Sequence, residues 1–175
     1  MPELDDFETI MQCNRQRLFR FLLSSLGNPD IAETLTQECF LKTYRARRSF
    51  EGRAQASTWL MTTAVSLVRD YFQSGRLRFW KRNQSRSIQP ANIPEWLPTP
   101  SSSAEEIAAA REQVQAVSRA VSSLSVSQRT VFLLRFVEDF DLNEIVKTTG
   151  MSQSKVKYQL NRALTAVREE LNVLV

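Results

Sequence analysis

Proline is the feature that most restricts this chain. Four of its six prolines fall between Pro90 and Pro100, and only four glycines are spread over 175 residues. Proline removes a backbone donor and disfavours helix in the residue before it, so the cluster marks a break. The long stretches on either side are nearly free of helix breakers, and neither shows the Val/Ile/Thr alternation of a sheet. The expectation is an all-α chain of two small helical domains, 1–80 and 104–175, joined by an extended Pro-rich linker over 81–103. Fully stretched, that linker reaches roughly 75–80 Å. Ile93, Trp96 and Leu97 are apolar for a spacer and either dock on a domain or meet a partner.

Composition excludes several function classes. Hydrophobic residues make up 42% of the chain, enough for packed cores. With no histidine and only Cys13 and Cys39, a zinc site and His-based acid–base or triad catalysis are ruled out. No metal and no cofactor are implied, and the two cysteines read as buried, reduced thiols of a cytosolic protein. The acidic start MPELDDFETI is no signal peptide, and no apolar run approaches a membrane span. The chain is expected to be soluble and cytoplasmic, without membrane insertion. Its charge of +4 is uneven: residues 1–90 hold 14 basic and 9 acidic side chains, residues 91–175 hold 9 and 10. Five basic residues and no acid lie between Arg76 and Arg86, a better sign of nucleic acid than net charge alone.

Apolar periodicity predicts three helices before the linker. The first runs from Phe7 to Leu26 and stops at Gly27. The second is capped by Asp30 with Glu33 and runs to about Arg47, with Ile31, Leu35, Phe40 and Tyr44 inward. The third starts at Ser57 or Thr58 and carries Trp59, Leu60, Ala64, Leu67, Val68, Tyr71 and Phe72. After the linker an alanine-rich helix spans Ala104 to Ser122, another spans about Ser127 to Glu138, and a short one capped by Asp141 runs through Thr149. Gly150 breaks the chain there, and Ser152 caps a long last helix whose apolar stripe is Val156, Leu160, Ala163, Leu164, Val167 and Leu171.

A short helix, a Gly-containing turn and a long helix make a helix-turn-helix. Leu142, Ile145 and Val146 form the inner face of its first helix. On the second, Gln153, Lys155, Lys157, Tyr158, Asn161 and Arg162 lie outside the stripe, and Gln153 to Arg168 carries four basic residues and no acid. Such side chains read base edges and phosphates in a major groove, which a merely solvated helix would not require.

Three segments in order resemble the extracytoplasmic-function class of bacterial sigma factors: AETLTQECFLKTY (32–44), SFEGRAQASTWLMTTAVSLVRDYF (49–72), and 124–171. The resemblance implies that the first docks on core RNA polymerase through Leu35, Gln37, Glu38, Phe40 and Leu41. Of these, Leu35 and Phe40 read mostly as core. It implies that the second captures and melts the minus-ten element of promoter DNA. The pocket loop would hold Glu51, Gly52, Arg53 and Ser57. Ser66, Arg69, Asp70 and Gln73 would line the helix face, and Arg76 and Arg78, with Lys81 and Arg82, would hold phosphates. Trp59 matches a family tryptophan, yet a Trp that opens an apolar stripe reads as core before it reads as a stacking platform. The third segment would read the minus-thirty-five element with Gln153, Ser154, Lys155, Lys157, Tyr158, Asn161 and Arg162. An anti-sigma factor is a further implied partner.

The pattern departs from the family at Thr34 (usually Asp), Ser66 (usually Asn), Lys155 (usually Thr) and Val146 (commonly Ala), which points to an unusual promoter preference. A helix-turn-helix regulator that dimerises through residues 1–80 is the main rival; it leaves 32–44 and 49–72 without a role. An enzyme acting on nucleic acid would need a nucleophile or metal cluster that the sequence lacks.

Overall fold

Each half of the chain folds around helices whose ends are fixed by local sequence. The computed structural model describes residues 4–47, 56–74 and 103–172, and among these it contains helices and no strand. The N-terminal module comprises α1 (Leu4–Leu26), α2 (Pro29–Arg45) and α3 (Ala56–Gln73). The C-terminal module comprises α4 (Ala104–Ser123), α5 (Val126–Phe136), α6 (Leu142–Thr149) and α7 (Gln153–Asn172). The two-module all-α expectation is met. The linker residues, the apolar Ile93, Trp96 and Leu97 among them, lie outside the described residues.

Caps explain most helix starts. Asn28, rather than Asp30, opens α2: its side chain accepts from the Asp30 and Ile31 amides at 3.0 and 3.1 Å. Pro29 then occupies the first helical position, where no amide is needed. Ser103 with Glu106, Ser125 with Gln128 and Asp141 with Glu144 are reciprocal capping boxes on α4, α5 and α6. Helix α3 begins at Ala56, so Ser57 sits inside the helix instead of capping it.

The turn between α6 and α7 depends on Gly150, which adopts φ 70°, a conformation that costs an L side chain about 1–2 kcal/mol. A Cβ there would meet nothing within 4 Å, so the penalty is purely conformational. Gly150→Ala should therefore lower stability in urea by about 1–2 kcal/mol, while Gly150→Asn, which tolerates this conformation better, should lose less. Equal losses in the two variants would refute the conformational account.

The apolar stripes meet as read. Leu18, Phe21 and Leu22 of α1 pack with Ile31, Leu35 and Phe40 of α2 and Leu60, Ala64, Leu67 and Val68 of α3, all buried. Val131 and Leu134 of α5, Ile145 of α6 and Val156, Ala163 and Val167 of α7 are buried in the second half. Cys39 is buried and its thiol donates to the Leu60 carbonyl at 3.4 Å, joining α2 to α3. Cys13 corrects the expectation of two buried thiols: it is exposed, off the buried stripe of Phe7, Leu18 and Phe21 on α1.

The two modules are packed on each other rather than held apart. Helix α1 touches α5, and α3 touches both α5 and α6. The buried apolar residues of both halves join in one cluster. Arg17 of α1 pairs with Glu138, whose side chain is only 3% exposed. Arg129 donates to the Ser25 carbonyl of α1 at 2.7 Å, and within its own module to the carbonyls of Val121, Ser122 and Leu124 at 3.1, 2.6 and 3.1 Å.

Candidate nucleic-acid interface

Helix α7 presents its polar face from the first turn. Gln153, Ser154, Lys155, Lys157, Tyr158, Asn161 and Arg162 are all exposed, and Tyr158 is 61% exposed despite its aromatic ring. Ser154, Lys157, Tyr158, Asn161 and Arg162 recur at helical spacing and form one stripe, opposite the buried Val156, Ala163 and Val167. The Ser152 hydroxyl accepts from the Lys155 amide at 3.3 Å, which fixes the start of the helix. Behind it α6 contacts both α5 and α7, so the exposed stripe stands on a packed base.

Helix α3 carries the second polar face. Ser66, Arg69, Asp70 and Gln73 follow one another at spacings of three and four, which places them on one side. Arg69, Asp70 and Gln73 are exposed, and Ser66 is half-buried. The Arg69 guanidinium donates to Ser66 Oγ at 3.3 Å, so the short Ser side chain is tied to its neighbour. Ser57 and Trp59 are half-buried at the start of the same helix, and Trp59 is neither wholly core nor an open platform. Glu51, Gly52, Arg53, Arg76 and Arg78 lie outside the described residues, as do Lys81 and Arg82.

The third face is on α2. Leu35 and Phe40 are each 4% exposed and belong to the core, so they cannot meet a partner while the module is folded. Of the five residues expected to meet polymerase, Gln37, Glu38 and Leu41 are the ones with surface on this side of α2. Gln37 is exposed, and Leu41 is 48% exposed, a large apolar side chain left on an otherwise polar helix face. Lys42 lies 3.4 Å from Glu38. The Gln37 amide donates to Glu33 at 3.1 Å, and this bond, with that from Arg15, holds the Glu33 carboxyl below its usual range. Thr34, where the family usually has Asp, is exposed beside them and donates to the Asp30 carbonyl at 2.9 Å.

Sequence reasoning missed the residues that join the modules: Arg17, Arg129 and Glu138. The chain turns sharply after α5, where the Val137 and Glu138 amides both donate to the Leu133 carbonyl and Asp139 takes φ 57°. Asp is among the few side chains that accept this conformation, and the turn aims Glu138 back at α1.

Comparison with known proteins completes the site. Sigma-70 region 2 matches residues 10–82, and Sigma-70 region 4 matches residues 114–167, one on each module and in chain order. The chain belongs to the sigma-70 family. Among curated relatives of this sigma factor, the extracytoplasmic-function RNA polymerase sigma factor SigX of Bacillus subtilis is 28% identical, with 97% of this chain and 86% of the relative covered. The RNA polymerase sigma-E factor of Streptomyces coelicolor is 27% identical, over 98% of this chain and 89% of the relative. Among solved structures, the sigma factor RpoE of Bartonella quintana, crystallised with the anti-sigma factor NepR, shares the fold of this sigma factor. Its TM-score is 0.76 at 21% identity, over 97% of this chain and 99% of that one. Among the described residues of this sigma factor, no group of His, Cys, Asp or Glu is placed to hold a metal ion, and no helix is long and apolar enough to cross a membrane.

Proposed function

We propose that this chain is an extracytoplasmic-function sigma factor: it binds core RNA polymerase in the cytoplasm, recognises promoter DNA and starts transcription, while the polymerase performs the chemistry. The single observation that carries this is the pairing of two exposed polar helix faces, on α3 and on α7, in the two modules that match the family's regions 2 and 4. A helix-turn-helix regulator would account for α7 alone; region 2 over residues 10–82 would have no work to do.

The roles divide by chemistry. Gln37, Glu38 and Leu41 offer polymerase two polar groups and one apolar contact. Ser66, Arg69, Asp70 and Gln73 line the face against which a minus-ten base is captured, with Glu51, Gly52, Arg53 and Ser57 as its pocket. Capture offsets part of the stacking lost when the duplex opens. Arg76 and Arg78 supply phosphate contacts, which are independent of sequence and weaken with salt. Lys155, Lys157, Tyr158, Asn161 and Arg162, with Gln153 and Ser154 at the helix start, read the minus-thirty-five element. Because Ser66 is shorter than the usual Asn and bonded to Arg69, the preferred minus-ten sequence should differ from that of relatives with Asn there. An anti-sigma factor is the expected regulator.

The test is reconstitution. Purified chain added to core polymerase should form a stable holoenzyme and direct transcription from a restricted set of genomic start sites, which share sequence near minus ten and minus thirty-five. A chain that neither binds core nor yields start sites above those of core alone sinks the reading.

A further inference from the structure

The outermost group on the α3 face is a guanidinium, and this decides which base the face can take; the inference rests on the minus-ten reading above. Ser66 and Arg69 stand one turn apart, and Arg69 Nη2 donates to Ser66 Oγ at 3.3 Å. Ser66 is half-buried and Arg69 exposed, so the hydroxyl forms the floor of the face and the guanidinium its outer surface. The bond occupies one N–H of the planar fork and leaves the others for a ligand. A side chain braced in this way also loses less freedom on binding than a loose one.

A guanidinium donates and cannot accept. It therefore matches a base edge with two neighbouring acceptors. Guanine has such an edge in O6 and N7, and an unpaired cytosine has one in O2 and N3. Adenine sets an amino donor beside N7, and thymine sets a methyl group beside O4, so neither fills the fork. A side-chain amide in this place would carry one donor and one acceptor and would suit adenine. Gln73 does carry an amide, but it stands one turn beyond Arg69. We propose that Arg69, positioned by the Ser66 hydroxyl, is the specificity-determining residue of the minus-ten face. It takes a base that presents two adjacent acceptors, guanine or cytosine, in preference to adenine or thymine.

The experiment uses holoenzyme and single-stranded minus-ten oligonucleotides, with each base placed in turn at every position. At one position the wild-type chain should prefer guanine or cytosine by about fivefold or more, the low end for a bidentate pair. Arg69→Ala should abolish that preference and leave those at other positions. Arg69→Lys should not restore it, because an ammonium lacks the fork. Ser66→Ala should weaken the preference although Arg69 is still present, and Ser66→Thr, which keeps the hydroxyl, should retain it. Single-atom replacements separate the two bases. If the base is guanine, 7-deazaguanine should lose the preference with the wild-type chain and change nothing with Arg69→Ala. If it is cytosine, 3-deazacytosine should do the same. A preference that survives Arg69→Ala, an Arg69-dependent preference for adenine or thymine, or a uniform weakening of all oligonucleotides in Arg69→Ala, as from a phosphate contact, would each overturn the assignment. An unchanged preference in Ser66→Ala would remove Ser66 from it. Wild-type holoenzyme that binds none of the oligonucleotides would instead overturn the minus-ten reading of α3.

Discussion

Arg129→Ala should destabilise the chain by about 3 kcal/mol or more, the largest loss expected from any single side chain outside the apolar core. Hydrogen bonds from a charged donor contribute about 1.5–3 kcal/mol each. Arg129 gives four such bonds: to Val121, Ser122 and Leu124 around the α4–α5 corner, and to Ser25 across the module boundary. These are not additive, but even half their nominal sum exceeds the effect of an ordinary surface change. Burial pulls the Arg129 guanidinium below its ordinary value, which fits a cation drawn from water to serve these carbonyls. Arg129→Lys should recover only a fraction, because an ammonium lacks the planar fork that reaches several acceptors at once. Urea unfolding followed by circular dichroism decides the matter: a loss below about 1 kcal/mol in Arg129→Ala would mean that the corner holds without it.

Most of the helical frame was legible because its signals are local. Asp141 and Glu144 are three residues apart, and so are the groups they satisfy, so the start of α6 could be read from the chain alone. The same logic slipped at α2, where Asn-Pro-Asp offers two caps in one turn; Pro29 decides for Asn28 by filling the first helical position. The misplacing of Cys13 has a different cause. The general preference of cysteine for interiors yields at position 13 to helical phase, which sets it off the stripe of Phe7, Leu18 and Phe21. The Arg17–Glu138 pair carries no signal in the local sequence. Arg17 and Glu138 are 121 residues apart, and nothing near either one announces the other.

The faces were readable in the same measure. On α7 the stripe rule separated outward from inward residues correctly, because one side of the helix packs on α4, α5 and α6 and the opposite side is left to solvent. On α2 the family motif mixes both sides of the helix, so Leu35 and Phe40 came along with Gln37, Glu38 and Leu41 although they face the core. A motif records which residues a family keeps, and it keeps them for packing as well as for contact.

Arg162→Ala and Lys157→Ala should separate two kinds of grip on the minus-thirty-five element. Both side chains are exposed on α7 and make no contact that the fold needs, so unfolding midpoints should stay within about 0.5 kcal/mol of wild type. If Arg162 pairs with a base edge, its loss should weaken holoenzyme binding to the promoter by about 1–3 kcal/mol, roughly 5–150-fold, and flatten the preference at one base pair. Arg162→Lys should not restore that preference, since a point charge cannot make the bidentate pair. Lys157, one turn closer to the start of α7, is suited to phosphate. Its loss should weaken all promoters alike and reduce the slope of log affinity against log salt by about one. Binding titrations of holoenzyme on promoter variants at several salt concentrations read both effects together. Because α7 carries no acid between Gln153 and Arg168, neither loss exposes a repulsive neighbour that could imitate the result. Unchanged affinity and unchanged salt slope in both variants would remove this face of α7 from promoter recognition.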